Sequence, residues 1–443
     1  MKSLMKNKTC LKALAASVMM LAAASQAAAQ SMSLQECIDY AIGHNTAIQQ
    51  QELSRQNQEI SLSSAKASRL PDVSASVGQG WGFGRSTSRD GSTVDQTSAQ
   101  TSFNISASVP IFTGFRIPNQ VKSNRYSLEA ASATLEKARR DVGIQVATYY
   151  LNALYYKGLT AVQQSQYELE QANCRNAHAL FEAGKRPESE VAAAEAQVAV
   201  SRHSLTEAQG NETLARLDLM QLLNLEGDVE QFSIQDIDTA RLESEIGSAD
   251  LIFSAALQNH PSILAAKYNL ESSKYQLKAA KSGYMPSLHF NASYSNSYYH
   301  LYNNQNMSLH KQLDLNGSEY LGLSLSIPIF DRFSTRNSVR QARLNIENQN
   351  LALTDAQLTL HKEIQQAYWN AVKARENYAS ARKASESTDL AYRYETERYA
   401  AGKGTSYDLQ QAGANRLKAQ HDELQAKYEF LMRIKILDFY NAQ

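Results

Sequence analysis

Two glycine-rich stretches of the sequence contain residue types that could bind phosphate groups. Residues 401–405, "AGKGT", place lysine and threonine beside glycine, but the first glycine of a phosphate-binding loop would fall at Glu397, and the stretch joins two helical segments. Residues 78–84, "GQGWGFG", are similar to a dinucleotide-binding loop, yet the glycines alternate along one strand face and no helix follows. The sequence therefore does not predict a nucleotide site.

Catalytic and metal-binding patterns are absent from the sequence as well. No HExxH, GxSxG or CxxC occurs, and the nine histidines are scattered, which is typical of surface or bundle residues rather than ligands. Cys37 and Cys174 lie far apart, so neither a disulfide framework nor a metal site is indicated. We predict no enzymatic activity, no metal and no cofactor.

The first 29 residues have the pattern of a secretory signal peptide. An apolar run and the small residues before residue 30 follow four lysines: Lys2, Lys6, Lys8 and Lys12. The remaining chain has 40 basic and 44 acidic side chains, which does not suggest a nucleic-acid partner. No later stretch of 18 apolar residues occurs, so we expect an exported chain that stays in the periplasm, leaves the cell or crosses the outer membrane as β-strands.

The whole chain consists of two copies of one plan. "AIGHNTAI" at residue 41 matches "ALQNHPSI" 215 positions later, and "AGKRPESEV" at residue 183 matches "AGKGTSYDL" 218 positions later. We assign a first repeat to residues 30–247 and a second to 248–443. Each copy reads helix, strand, strand, long helix, tight turn (184–187 and 402–405) and helix, and the first ends in an equatorial segment, 226–247.

Seven-residue periodicity dominates the two long helical segments. This spacing favours a left-handed coiled coil, and an unbroken helix over residues 119–183 would be roughly 100 Å long. Residues 34–68 and 187–225 predict helices of about half that length. The periodic positions are Leu128, Leu135, Val142, Tyr149 and Tyr156 in the first copy and Ile346, Leu353, Leu360, Ala367 and Ala374 in the second.

Apolar and polar residues alternate in four segments, two within residues 71–112 and two within 286–330. Alternation alone is equally typical of a half-buried sheet in a soluble domain. In an exported chain with polar connections and tyrosines crowded near residues 294–302, it favours membrane-spanning strands. Since about eight strands are needed to close a barrel, four strands require assembly with identical chains.

These features together resemble the TolC family of outer-membrane efflux proteins. The resemblance rests on the order of elements, "LQECIDYAIGHN" near the start, the doubled "AGK" turns and the doubled "SVPIF" and "SIPIF". It implies an α+β fold in which a long α-helical coiled-coil barrel continues a transmembrane β-barrel, with four strands per protomer of a homotrimer. It also implies location in the outer-membrane lipid with a long periplasmic portion, a periplasmic adaptor (membrane fusion) protein and an inner-membrane transporter. Pro110 and Pro328 match strand-to-helix joints, where we expect pairing to end because proline lacks a donor.

The resemblance also assigns a gate to the helix turns. Tyr399 matches the latch tyrosine, Asp408 the first acid of the constriction, and Ser189 and Glu190 the partners of the latch. The pattern is incomplete, because Gln411 replaces a second acid and Gly404 replaces an arginine beside Lys403. We therefore expect one acidic ring, although Asp408 is also suited to complement the dipole of a helix start.

The turns themselves predict helix caps and a docking surface. Gly184 and Gly402 are placed as helix C-caps. Lys185 follows Gly184, and Lys403 lies between Gly402 and Gly404. These two lysines are the exposed charges that an adaptor would contact.

Three functions remain open from the sequence. The first is a passive export duct, for drugs and other small molecules or, alternatively, for polypeptides in type I secretion. The second is a non-conducting coiled-coil or adhesin protein at the cell surface. The third, a hydrolase on an outer-membrane scaffold, has no catalytic constellation to support it.

Overall fold

The computed structural model describes residues 31–87, 91–237, 246–302 and 305–441. The predicted signal peptide lies outside these residues, as do residues 238–245 of the predicted equatorial segment. None of the helices in these ranges is both long enough and apolar enough to cross a membrane.

Helices and strands follow the duplicated order. The first copy contains α1 (Leu34–His44), α2 (Thr46–Ala67), β1 (Asp72–Gly82), β2 (Arg85–Thr87), β3 (Thr93–Asp95), β4 (Ser98–Thr113), α3 (Arg116–Glu182) and α4 (Glu188–Leu223). The second contains α5 (Ala249–Asn259), α6 (Pro261–Lys281), β5 (Ser287–Leu301), α7 (Leu309–Leu315), β6 (Ser318–Ser326), α8 (Ser334–Ala400) and α9 (Ser406–Asn441).

The described residues form two compact units. A helical unit comprises residues 31–52, 134–263 and 357–441, and a second unit, which contains the four-stranded sheet, comprises 53–133 and 264–356 within the described ranges. The predicted long helices are present as α3 and α8, each 67 residues without a break.

Five of the ten heptad positions are buried, so the heptads account for part of the helical core. Leu360, Ala367 and Ala374 of α8 are buried, as predicted. In α3 the prediction was wrong at Tyr149, which is 39% exposed, whereas the neighbouring Tyr150 is fully buried. A straight helix drifts by about 20° per heptad against a strict seven-residue repeat, and this drift brings the next residue inward. The Tyr150 hydroxyl lies 2.9 Å from the Met32 carbonyl oxygen and 2.7 Å from that of Gln235.

The segment at residues 34–68 is not one helix, contrary to the prediction. It breaks at Asn45, whose side-chain oxygen accepts a hydrogen bond from the Ala47 amide at 2.9 Å while its amide donates to the Leu222 carbonyl at 3.1 Å. These bonds offer the backbone an alternative to a continuous helix. The second copy breaks at the equivalent position, His260, between α5 and α6. The internal repeat therefore extends to a feature that helical periodicity does not reveal.

One antiparallel sheet joins the two copies in the order β1-β4-β5-β6. Its register places residues of similar character opposite each other along most of the sheet, so the sheet has a mainly apolar face, interrupted by Asn296 and Glu319, and a serine face. Rows of the apolar face pair Val77 with Phe103 and Phe290 with Leu323; a row of the serine face runs Ser74, Ser106, Ser293 and Tyr320. The apolar side chains are largely exposed, Val77 at 70% and Leu323 at 66%.

The expectation that Pro110 ends strand pairing was wrong. Pro110 pairs with His289, the register shifts between Pro110 and Phe112, and pairing continues to Thr113. A bulge accommodates a residue that cannot donate to the ladder. In the second copy, β6 ends at Ser326, two residues before Pro328.

The joints between strand and helix use the same strained geometry in both copies. Gly114 and Phe115 have φ angles of 59° and 66°, and the equivalent Arg332 and Phe333 have 57° and 63°. A left-handed conformation costs a residue with a Cβ atom about 1–2 kcal/mol. In each copy of the repeat, this conformation directs the backbone from the sheet into the long helix.

The two joints differ in the space available, which predicts opposite effects of mutation. A Cβ atom at Gly114 would lie 2.6 Å from the Met285 Cβ and 2.8 Å from the Ser282 carbonyl oxygen. We expect Gly114→Ala to destabilise the protein by about 3 kcal/mol through strain and overpacking. Arg332→Gly relieves strain and should change stability by no more than about 1 kcal/mol. Thermal unfolding monitored by circular dichroism would contradict this account if both variants melted alike.

Candidate gate at the helix turns

The two turns of the helical unit are built in the same way. Gly184, with φ 67°, donates its amide to the Phe181 carbonyl at 2.8 Å, and Lys185 donates to Leu180 at 2.9 Å. Gly402, with φ 69°, repeats this arrangement. This is a Schellman motif, which requires a left-handed residue and so favours glycine. Both turns present an exposed lysine, Lys185 or Lys403.

Asp408 lies in the first turn of α9, where it forms a capping box with Thr405. The Asp408 amide donates to Thr405 Oγ1 at 3.1 Å, and the Thr405 hydroxyl donates to Asp408 Oδ2 at 2.8 Å. The carboxylate thus stabilises the helix start by hydrogen bonding and by complementing the dipole. It is half-buried next to the turn.

A latch joins the two hairpins of the chain. Tyr399, from α8, donates its hydroxyl to Glu190 Oε2 at 3.4 Å, and Arg186 Nη1 lies 3.0 Å from Glu190 Oε1. The Arg186 guanidinium also lies over the Tyr399 ring, 4.9 Å from its centroid. With exposed fractions of 28% and 24%, the Arg186 and Glu190 side chains are partly shielded from water, so their attraction is screened less than that of a surface pair.

Arg186 is the functional residue that sequence reasoning missed. It lies 218 positions before Gly404, the position at which the resemblance led us to expect an arginine. Gly404 could not easily be replaced, since a Cβ there would lie 3.2 Å from the Tyr399 amide nitrogen. In this chain the arginine occupies the equivalent position of the other turn, and the repeat offset is the signal that could have found it.

Burial and charge keep the latch phenol in its donor form. Burial raises the pKa of Tyr399, and the Glu190 carboxylate raises it further, while Arg186 opposes both effects. A phenol with a raised pKa stays protonated at neutral pH. It can therefore continue to donate to Glu190.

A second set of polar contacts lies one heptad from Tyr399. Arg416 Nε lies 2.9 Å from Asp389 Oδ1, and Arg393 Nη2 lies 2.8 Å from Asp389 Oδ2. The Arg416 guanidinium covers the Tyr392 ring at 4.9 Å. An arginine over a tyrosine thus occurs twice along α8: Arg416 lies in α9, and Arg186 lies in the turn between α3 and α4.

Between the hairpins lies a cavity of about 600 Å³ with a mixed polar and apolar lining. Gln411 lines it without contacting the latch and donates to Asn415 at 3.2 Å. The structure brings Tyr399 and Glu190 into contact, as the resemblance implied, whereas Asp408 and Gln411 make contacts within α9 and its cap. Other lining residues include Ser189, Glu190, Tyr392, Tyr399, Glu170 and Asn173.

Comparison with known proteins places this architecture among outer-membrane channels. The outer membrane protein VceC from Vibrio cholerae has a TM-score of 0.76 at 14% identity, over 92% of this chain and 96% of that chain. The CmeC outer membrane channel of Campylobacter jejuni has a TM-score of 0.76 at 19% identity, over 93% of this chain and 87% of that chain. These similarities confirm the predicted α+β fold with a helical barrel and a β domain.

Similarity in sequence extends to curated proteins. The outer membrane efflux protein BepC of Brucella suis is 22% identical, over 72% of this chain and 69% of its own length. Protein CyaE of Bordetella pertussis is 24% identical, over 90% of this chain and 80% of its own length.

A single family model, described as outer membrane efflux protein, matches residues 37–225 and 252–435. The match covers both copies of the repeat and confirms the predicted resemblance. The chain thus belongs to the outer membrane efflux protein family, a family of channel proteins, and is located in the outer membrane with a long periplasmic helical portion.

Proposed function

We propose that this protein is a passive export duct for drugs or other small molecules, opened and closed at its helix turns. The observation that carries the proposal is the sheet, which has one mainly apolar face, interrupted by Asn296 and Glu319, and one serine face. An apolar face suits contact with lipid and a serine face suits a water-filled lumen. The printed name of BepC, an outer membrane efflux protein, supports efflux as the process.

The sheet also supports assembly into a homotrimer. β1 and β6 lie at its two edges, and each has only one partner strand within the described chain. Unpaired backbone groups in a bilayer cost several kcal/mol each, so both edges require partners. Pairing β1 of one protomer with β6 of the next would close a barrel of twelve strands from three chains.

The turns would control passage. Glu190, Arg186 and Tyr399 connect the two hairpins of one protomer, and their separation would widen the opening. Three copies of Asp408, one per protomer, would form a single acidic ring that attracts cations. The next ring of side chains would consist of three copies of Gln411, which carry no charge.

The exposed turns offer a docking surface for a periplasmic adaptor protein. Lys185 and Lys403 project from turns whose backbone is fixed by Gly184 and Gly402, and Gly404 packs closely on the preceding helix. Rigid backbone with exposed charge suits recognition, because little conformational entropy is lost on binding. An inner-membrane transporter would supply the energy.

A bilayer recording of the purified protein tests the proposal. An oligomer that resists detergent until it is heated, and that conducts ions in a planar bilayer, would support the duct. A surface coiled coil without a pore would give the oligomer but no conductance. Purification from native membranes would distinguish small-molecule efflux from type I secretion by the class of transporter that accompanies the protein.

Asp408→Asn should lower the cation preference of the channel about threefold, because the trimer loses three negative charges from a narrow opening of low dielectric. Asparagine retains an oxygen that can accept the cap hydrogen bonds, so the fold should persist. Reversal potentials in a potassium chloride gradient measure the change. Asp422→Asn, an exposed position farther along α9, is the matched control, and equal effects of the two variants would argue against an acidic ring at Asp408.

A further inference from the structure

Basic residues are concentrated on the three helical segments next to the sheet. Residues 116–128, 272–284 and 332–346 together contain ten lysines and arginines and no aspartate or glutamate, although the chain as a whole has equal numbers of basic and acidic residues. Lys274 pairs with Glu271, Arg116 lines a crevice beside the serine face and Arg332 lies in the strained joint; the other seven are exposed and form no ion pair within the described ranges. They are Lys122, Arg125, Lys278, Lys281, Arg336, Arg340 and Arg343.

The two copies of the repeat retain these cations at equivalent positions. Lys122 and Arg125 of α3 correspond to Arg340 and Arg343 of α8 at an offset of 218. Lys66 of α2 and Lys281 of α6 correspond at the helix offset of 215. Positive charge thus occurs at three equivalent positions of the two copies, whereas Lys278 and Arg336 correspond to Ser63 and Pro118.

The cations of α6 and α8 point away from the serine face of the sheet, whereas Arg116 of α3 lines a crevice on that side. A crevice of about 450 Å³ at the joints is lined by Ser287 and Ser326 of that face, by Ala279 and Ala280 of α6, and by Ser334 of α8. At about 100° per residue, the cations of α6 and α8 lie roughly 130–170° around their helices from the residues that line the crevice. They therefore lie on the side of the apolar face.

A tyrosine lies among these cations. Lys278 Nζ is 4.3 Å and Lys122 Nζ is 5.4 Å from the centroid of the Tyr275 ring, and Tyr126 stacks on the same ring at 5.6 Å. Two ammonium groups therefore share one ring without a carboxylate to neutralise them. Tyrosine and lysine together are typical of a membrane–water interface, where the ring enters the headgroup layer and the ammonium contacts phosphate.

We propose that these residues form a basic belt that binds the headgroups of anionic phospholipids in the leaflet next to the helices. The proposal rests on the orientation of the sheet under the proposed function, with its apolar face in lipid. The belt is continuous with that face, so its cations meet the bilayer where the hydrocarbon region ends. Each cation near an anionic surface favours binding by about fivefold.

Spin-labelled lipids test the belt with the full-length protein in vesicles of phosphatidylcholine and phosphatidylglycerol. We expect the protein to prefer phosphatidylglycerol about threefold at low salt and to lose this preference at high salt. Lys122→Gln, Lys281→Gln and Arg340→Gln together should abolish it, while Lys122→Arg, Lys281→Arg and Arg340→Lys together should retain it. The matched control removes three exposed charges of the helical unit: Lys362→Gln, Lys383→Gln and Lys418→Gln.

Three outcomes would overturn the belt. They are a wild-type protein with no lipid preference, a control variant that loses the preference equally, and a neutralised variant that no longer forms the oligomer, since the cations would then contact a second copy of the chain. Conductance recorded on the same samples distinguishes the two proposals. A conducting protein without lipid preference contradicts only the belt, whereas a protein that never conducts contradicts the duct.

Discussion

Leu323→Arg is expected to prevent assembly of the protein in the outer membrane. Leu323 lies near the middle of β6, opposite Phe290 on the apolar face, and is 66% exposed in the single chain. An arginine in the middle of a lipid-facing surface costs about 2–4 kcal/mol, and three protomers would each carry one. The amount of heat-dissociable oligomer in outer-membrane fractions, compared by gel mobility with and without boiling, measures the loss.

Ser324→Arg is the matched control, because it places the same charge one residue further along the same strand. Ser324 pairs with His289 on the serine face. A water-filled lumen tolerates a charge there, so this variant should assemble and alter only ion selectivity. Equal loss of oligomer in both variants would show that the two faces do not differ in their surroundings.

Arg186→Ser should shift the channel toward its open state. The substitution leaves the partly buried Glu190 carboxylate without its ion pair and uncovers the Tyr399 ring. For a pair about one quarter exposed, a loss of roughly 1–2 kcal/mol per latch is reasonable, which corresponds to about a tenfold change in the ratio of open to closed states for each of the three latches. Single-channel recordings give the open probability directly.

Lys185→Ser removes a neighbouring charge and serves as its control. Lys185 is exposed at the turn and has no contact with Tyr399 or Glu190 among the described interactions. Its loss should leave the open probability unchanged while weakening adaptor binding. An unchanged open probability in both variants would remove Arg186 from the gate.

Residue patterns with a clear period allowed much of the fold to be predicted. Alternation along β4 and β6 predicts which side chains share a face, because the side-chain period of a strand is two and the register preserves it. The offset of 218 correctly related Gly184 to Gly402. Both features depend on regular geometry that the sequence repeats.

Features set by single local contacts could not be predicted in the same way. The break at Asn45 depends on a side chain that donates a hydrogen bond to a carbonyl 177 positions away. The bulge after Pro110 depends on pairing with the neighbouring strand, β5. Arg186 was missed because the search for a cation was confined to the turn that contains Gly404. Contacts between distant segments leave no period in the sequence.

The latch also makes the two copies dependent on each other. The first copy supplies the acid and the cation, and the second supplies the phenol. An assembly of six identical half-length chains could not form this contact, because neither copy of the repeat contains all three latch residues. In the proposed trimer, the tie acts within each protomer and is not repeated by the same residues across its boundaries. Opening would then break three ties, one inside each subunit, and would move the hairpin of one copy away from the hairpin of the other.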